Sequence, residues 1–493
     1  VTTPDINLSG FQPCDVRGRH GPGPDAQISP LHAFLIGQAL AELLPAGAQT
    51  LTSGDGRAST PGLLAALDAG LGGRAVSLGA GVPTPLAYLA RQELGLGGCA
   101  IVTASHNPPA FNGIKLQLGD QPPTPELLAV VRNRVQARAE AAAGALPASP
   151  ARAAEGTEPP ALRRAWAAYD QCLADVFGKR LGGLRIALDC MHGCWAGDGP
   201  ARLRAAGAEV VALRDRRLGD FAGATPDPAV DAHLTDLGGA VRGGGFALGA
   251  ALDGDGDRVR FLDETGHLLD NGSVLVLLAR HLQACGPESR RAGAVVYDQK
   301  TRLAVVAELR QAGLQPVRER SGHSFMRARL LAEHAILGGE NSGHFFWGTP
   351  GFYPVVAGDC GLFAVFVVAD LLRRAGRSLS ELAATVPPSP FYTGDIRGLR
   401  YEGDRAALLA AVAASARDAG YVVDTEDGVR LESPTAFVHL RASVTEAGLL
   451  TAALDALDAD GLVAMADPLA ALLPAAAQPI AAAVRQRVRA LVS

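Results

Sequence analysis

Two short segments of this chain carry residues that could transfer a phosphoryl group. Thr103-Ala104-Ser105-His106-Asn107-Pro108 offers a serine hydroxyl, and Asp253-Gly254-Asp255-Gly256-Asp257-Arg258 offers three carboxylates at alternate positions. A hydroxyl can carry the phosphoryl group covalently. Three carboxylates suit a hard divalent cation such as Mg²⁺, which withdraws charge as the phosphoryl group leaves. The glycines between the aspartates let the backbone turn so that the carboxylates converge. An EF-hand competes for this second segment, because Glu264 falls at its twelfth position. Arg258 stands where that loop needs glycine, and a strand precedes it instead of a helix, which argues against a calcium sensor. Arg258 is instead placed to neutralise a phosphoryl group beside the cation.

Three further segments have the same character. Lys115 follows Asn112-Gly113 on the segment leaving Ser105. Its amine could act as general acid or base towards a hydroxyl if burial and neighbouring cations lower its pKa. Gly338-Gly339-Glu340-Asn341-Ser342-Gly343-His344 follows an apolar run, Ala335–Leu337, and Glu340 and Ser342 could hold sugar hydroxyls with His344 nearby. Arg441-Ala442-Ser443-Val444-Thr445 offers a guanidinium, two hydroxyls and backbone N–H groups, a set that can bind a phosphate dianion. Taken singly, each of these segments also reads as an ordinary turn or a solvated charge. It is their occurrence together that points to chemistry.

The elements that must position them alternate. Short apolar runs (Ala75–Leu78, Cys99–Thr103, Arg185–Asp189, Glu209–Leu213, Ala247–Leu252, Ala294–Tyr297) read as strands, and Leu31–Leu44, Pro61–Ala69 and Pro85–Leu94 read as helices. Such alternation predicts α/β layers with mainly parallel pairing. Ser105 and the three aspartates then fall on loops leaving the carboxyl ends of strands, the edge where ligands of open α/β sheets gather. Ala139–Pro160 reads as a connection between domains, and Pro387-Pro388-Ser389-Pro390 as a second break. Beyond it, Tyr421–Val423, Val429–Leu431 and Phe437–Leu440 read as short strands of a smaller α+β domain.

At 493 residues the chain exceeds one ordinary core. With 48% hydrophobic and 19% charged residues it is globular. The formal net charge of −5, with 45 basic and 50 acidic residues interspersed, provides no nucleic-acid surface. Anionic substrates must be attracted by a local cluster. Seven scattered cysteines predict reduced thiols and a cytoplasmic location. Cys190-Met191-His192-Gly193-Cys194 could be half a zinc site but has no second ligand pair at suitable spacing. The longest apolar run, Gly361–Ala369, is too short to span a bilayer and reads as a core helix. No signal-peptide profile is evident, and a soluble protein without membrane partners is expected.

In their order along the chain these segments resemble the α-D-phosphohexomutases. Phe11–Gly18 is similar to that family's N-terminal stretch, with Cys14 where tyrosine is common; Gly54-Asp55-Gly56-Arg57, Pro83-Thr84-Pro85, Asp298-Gln299-Lys300-Thr301 and Gly322-His323 also match. The resemblance implies an α/β fold: three similar mixed-sheet α/β domains (1–150, 151–265 and 266–386) and a smaller α+β C-terminal domain (387–493) around a central cleft. It implies that Ser105 is a phosphoserine and that Asp253, Asp255 and Asp257 bind Mg²⁺ together with it. Arg17, Lys115, His323 and Arg258 become the acid–base and electrostatic candidates. His106, Lys300, Glu340, Ser342, His344, Arg441, Ser443 and Thr445 become substrate-binding candidates, the last three for the non-reacting phosphate. The implied reaction interconverts the 1- and 6-phosphates of a hexose, mannose or glucose, through a hexose 1,6-bisphosphate, in a monomer or homodimer. A phosphoglucosamine mutase and a non-catalytic sugar-phosphate binding protein are the alternatives. The chain departs from the family pattern at Val444, at Ala447 (where proline is usual) and at Cys360.

Overall fold

A computed structural model describes residues 6–23, 25–141, 158–285, 292–348, 352–355, 357–443 and 448–493. Two compact units emerge: 1–271 with 322–382, and 272–321 with 383–493.

The first unit opens with β1 (Val16–Arg19), β2 (Thr50–Gly54), β3 (Ala75–Ala80), β4 (Gly98–Val102) and β5 (Phe111–Leu118), which form one sheet in the order β1-β5-β4-β2-β3. β2 lies parallel to β3 and β4, whereas β5 is antiparallel to β4 and β1. The expected parallel pairing thus holds at the centre and reverses at one edge. That reversal has a sequence cause. Eight residues separate Val102 from Phe111, too few for a crossover helix, so β5 must return as a hairpin. The hairpin sets Lys115 opposite Ile101. Cys99, Ala100, Ile101 and Val102 are all buried, as a strand covered on both faces requires.

A second sheet is built from β6 (Arg185–Asp189), β7 (Glu209–Leu213), β8 (Leu248–Leu252) and β9 (Val259–Leu262), ordered β7-β6-β8-β9, again with a parallel centre and an antiparallel edge pair. The chain passes through β10 (Ala294–Asp298) and β11 (Gln315–Glu319), which pair parallel in the second unit. It returns to the first unit as the antiparallel run β12 (Leu337–Gly339), β13 (Phe345–Trp347) and β14 (Gly358–Asp359). The helix Gly361–Ala375 follows, buried around most of its surface and ended by Gly376 in the left-handed conformation. The Gly361–Ala369 run is therefore a core helix. Among the described residues, no helix is long and apolar enough to cross a membrane.

The second unit ends in β15 (Ile396–Arg400), β16 (Val422–Asp424), β17 (Val429–Glu432), β18 (Ala436–Ala442) and β19 (Leu449–Ala456), an antiparallel sheet ordered β15-β19-β18-β17-β16. His439 on β18 is buried, and its Nε2–H donates to the Asp427 carbonyl. Burial, only partly opposed by Asp427, pulls its pKa down to about 4. The unfolded chain takes up this proton near pH 6.5 while the native sheet resists it. His439 therefore costs the fold nothing above pH 6.5 and destabilises it progressively as pH falls towards 4. The expected loss is about 2–3 kcal/mol between pH 6.5 and 4.5. Amide hydrogen exchange in β17–β19 across that range should show it, and His439→Gln should flatten the slope. An equal slope in both proteins would exclude this source.

Candidate active site

Ser105 lies three residues beyond the end of β4 and adopts φ 51°, a left-handed conformation uncommon for serine. Its Oγ donates to Asp253 Oδ2 at 2.8 Å and lies 3.3 Å from His106 Nδ1. Asp253 arrives from the end of β8, so two loops at the carboxyl ends of buried strands meet. Their approach is close: a Cβ added at Gly254 would sit 2.6 Å from the Ser105 carbonyl oxygen. Only glycine fits there.

Asp253, Asp255 and Asp257 are buried, and each can place a carboxylate oxygen within 4.8 Å of the other two. Asp253 is tied by the backbone N–H groups of Gly256 and Arg258. Asp255 Oδ2 accepts from Thr84 Oγ1 at 2.7 Å and from Lys115 Nζ at 2.8 Å. Lys115 also donates to Asp257 Oδ2. Burial alone would lower the Lys115 pKa, but Asp255 and Asp257 outweigh it and hold the amine well above the ordinary lysine value. The neighbours are anions, so Lys115 is an ammonium ion rather than the resting base that neighbouring cations would have made.

Burial, together with Asp257 and Asp255, pushes the Asp253 carboxyl well above its usual range. Asp255 Oδ1 is buried with no hydrogen-bond partner among the described residues. Clustered carboxylates with an unsatisfied buried oxygen fit a hard divalent cation.

The turn after β12 closes the group. The Glu340 N–H donates to the His344 carbonyl, and the Gly343 carbonyl accepts from Val259 N at 3.0 Å. A Cβ at Gly343 would meet the Val259 oxygen at 2.5 Å, which is why glycine separates Ser342 from His344. His344 Nδ1 lies 2.7 Å from Glu340 Oε2. Its Nε2 lies 3.2 Å from Arg258 Nε, which donates to a neutral ring, and 3.4 Å from Asp257 Oδ1, which holds a protonated one. Burial and the Arg258 charge depress this imidazole, yet Asp257 and Glu340 prevail and raise it to about 10. Burial opposes ionisation of Glu340, but its hydrogen bond and ion pair with His344 bring it to about 2. Ser342 Oγ lies 3.0 Å from His344 Nδ1. The Gly322 N–H donates to Glu340 Oε1 at 2.6 Å, which places His323 beside this turn.

His323 and His106 are neutral imidazoles. Burial and the Lys115 charge bring His323 to about 3, and burial with Arg258 and Arg17 holds His106 well below its usual value. Arg17 donates from Nη1 to Asn107 Oδ1 and from Nη2 to Asp15 Oδ2. The first unit thus gathers Ser105, His106, Arg17, Lys115, the three aspartates, Arg258, His323, Glu340, Ser342 and His344.

Lys300, Arg441 and Ser443 belong to the second unit. There Lys300 Nζ donates to Asp395 Oδ2 at 2.9 Å, Arg441 pairs with Asp427, and Ser443 N donates to the Leu449 carbonyl. Arg441 Nε is buried with no hydrogen-bond partner among the described residues. Thr445 and the atypical Val444 and Ala447 lie outside the described residues. Two contributors were not assigned roles from the sequence. Thr84 was legible only as the middle of Pro83-Thr84-Pro85. Asp359 lies 3.8 Å from His344 Nε2, and its carboxyl is raised to about 6 by burial and Asp257.

A serine hydroxyl against an acidic cluster, with an ammonium ion bridging two of its carboxylates, is equipment for phosphoryl transfer. Comparison with known proteins gives that class a family. Models of the phosphoglucomutase/phosphomannomutase α/β/α domains I, II and III match residues 9–141, 168–266 and 270–389. A phosphomannomutase/phosphoglucomutase of Pseudomonas aeruginosa is 29% identical, covering 90% of each chain. A phosphoglucosamine mutase of Desulforudis audaxviator is 33% identical over 78% of this chain and 83% of its own. The crystal structure of a phosphoglucomutase/phosphomannomutase family protein from Burkholderia thailandensis superposes with a TM-score of 0.79 at 25% identity, covering 96% of this chain and 98% of that one. The chain belongs to the phosphoglucomutase/phosphomannomutase family, the α-D-phosphohexomutases, and is an intramolecular phosphotransferase.

Proposed function

We propose that the enzyme interconverts hexose 1-phosphate and hexose 6-phosphate, with mannose, glucose or both as the sugar, by way of phosphorylated Ser105. The observation that carries this reading is the 2.8 Å contact between Ser105 Oγ and Asp253 beside the Lys115-bridged carboxylates. In the forward half-reaction the bond between Ser105 Oγ and phosphorus breaks. A new bond forms from phosphorus to the free sugar hydroxyl, giving a hexose 1,6-bisphosphate and a free serine. The bisphosphate turns over, its other phosphoryl group returns to Oγ, and the isomeric monophosphate leaves.

Asp253, Asp255, Asp257 and a phosphoserine oxygen would hold Mg²⁺, which supplies positive charge against the transferring group. Lys115 and Arg258 add fixed cations at the same place. His106 accepts or donates a hydrogen bond at Oγ as a neutral ring. His323, as a neutral ring, is the remaining candidate for taking the sugar hydroxyl's proton, while Arg17, a permanent cation, adds positive charge beside the transferring group. Glu340 and Ser342, with His344 fixing the carboxylate, would read sugar hydroxyls. Arg441, Ser443 and Thr445 would bind the non-reacting phosphate, and Lys300 would contact substrate, a reading supported by the family motifs. Cys14, in place of the common tyrosine, removes a phenol from the N-terminal stretch.

Purified protein with Mg²⁺, a trace of hexose 1,6-bisphosphate and either mannose, glucose or glucosamine 1-phosphate should isomerise the first two faster than the third. Intact mass should show one phosphoryl group taken up. Glucosamine 1-phosphate as the fastest substrate would move the enzyme to the alternative specificity. Binding without turnover or serine phosphorylation would sink the mutase reading.

A further inference from the structure

Gly54-Asp55-Gly56-Arg57 lies outside the roles proposed above, and its arginine occupies an unusual place. Arg57 is wholly buried, and every N–H of its guanidinium is spoken for. Nη2 donates to the carbonyls of Ser105 at 2.8 Å and Asn107 at 2.7 Å. Nη1 donates to Pro108 O at 2.8 Å and Phe111 O at 3.1 Å, and Nε to Asp55 Oδ2 at 2.9 Å. Three carbonyls of the loop that carries Ser105, and that of Phe111 at the start of β5, thus converge on one cation. The counter-charge is equally committed: Asp55 accepts from Thr60 Oγ1, Thr103 Oγ1 and the Arg57 N–H. Thr103 Oγ1 in turn accepts the Ser105 N–H at 2.8 Å. One Asp55–Arg57 pair therefore holds Ser105 from both sides, directly at its carbonyl and through Thr103 at its N–H.

We propose that Arg57 is a positioning residue for phosphoryl transfer: it holds Ser105 in its left-handed conformation and so fixes where Oγ meets the acidic cluster. The reason lies in the backbone. A non-glycine residue at positive φ persists only where its surroundings over-determine it, and nothing in a Ser-His-Asn-Pro turn demands that conformation. A planar fork reaching four carbonyls does, and lysine, with three donors on a point charge, cannot reproduce it. The guanidinium lies 4.9 Å from the Phe221 ring, so a purely structural role in packing against that segment is the competing account. The inference rests on the phosphoserine reading of Ser105.

Arg57→Lys should lower kcat for hexose 1-phosphate isomerisation by about 100-fold, the scale of a misplaced reacting group, with KM and the half-saturating Mg²⁺ concentration within about threefold of wild type. Arg57→Gly should regain part of its kcat in millimolar guanidinium chloride but not in equal urea. Thr103→Val, which cuts the link to the Ser105 N–H while leaving Arg57 in place, should lower kcat about tenfold at unchanged KM; it serves if Arg57→Lys does not fold. Phe221→Leu should keep kcat within about threefold. Wild-type kcat in Arg57→Lys would overturn the inference. So would activity that merely tracks the folded fraction in all variants with no rescue by guanidinium. Ser105→Ala, measured alongside, separates the two ideas. If it still turns over, the phosphoserine reading has failed; if it is dead while Arg57→Lys behaves as wild type, only the positioning role has.

Discussion

Ser105→Ala is expected to lower hexose 1-phosphate turnover by about 10⁴-fold or more while leaving the fold intact, because the group that would carry the phosphoryl moiety is gone. The fold should tolerate the change. The Ser105 N–H and C=O keep their bonds to Thr103 and Arg57, and Asp253 keeps the backbone N–H groups of Gly256 and Arg258. Losing one hydroxyl donor to a buried carboxylate costs about 1–3 kcal/mol. The variant should still bind a hexose 1,6-bisphosphate, and raising its concentration should not restore turnover, since the bisphosphate then has no acceptor. Kinetics with excess bisphosphate, and intact mass after incubation with it, check both points. A variant that turned over at more than about one hundredth of the wild-type rate would mean that another group accepts the phosphoryl moiety.

How far the sequence reached depends on the range of the contact. The strand before Ser105 was legible because Cys99–Val102 is apolar and short, and the β8 loop because Asp-Gly-Asp-Gly-Asp admits few other readings. β5 was missed as a strand although Ile114, Leu116 and Leu118 alternate with Lys115 and Gln117, a period-two signal masked by the polar Asn112-Gly113 start. Periodicity alone gave mainly parallel pairing, and the mixed sheets followed only from the family resemblance, because short hairpin returns carry a weak periodic signal. Ser105 and Asp253 were paired through the chemistry of two motifs, although their contact joins residues 148 positions apart. Thr84 on Asp255 and Arg57 on the Ser105 carbonyl carry no such chemical signature, since threonine and arginine are common in turns. Lys115 shows the limit most sharply. Its identity was readable, but the sign of its charge environment depends on Asp255 and Asp257, more than a hundred residues away.

That environment makes Lys115→Met the second large effect expected. Methionine keeps the length and apolar stem of lysine and removes the ammonium, so packing is held nearly constant while the charge is deleted. The lost cation sits 2.8 Å from Asp255 Oδ2 and also donates to Asp257, with 3% of its side chain exposed. Breaking a buried pair from one side leaves uncompensated charge, and about 3–5 kcal/mol of stability should go in the absence of divalent cation. Because Asp255 and Asp257 are the carboxylates expected to hold Mg²⁺, millimolar Mg²⁺ should recover part of that loss by mass action. Denaturant unfolding with EDTA and with Mg²⁺ measures both numbers. Turnover should fall about 10²–10³-fold, the cost of removing one preorganised donor from a site where charge develops. A raised folded-state pKa means the ammonium's contribution is complete below the ordinary lysine range and lost only at pH above it. The deficit should therefore be flat from pH 6 to 9 instead of appearing as a displaced limb of the pH–rate profile. Unlike Ser105→Ala, this variant should still gain one phosphoryl group from the bisphosphate, slowly. Wild-type turnover, together with unchanged stability in EDTA, would show that the acidic cluster does not depend on Lys115 for its charge balance.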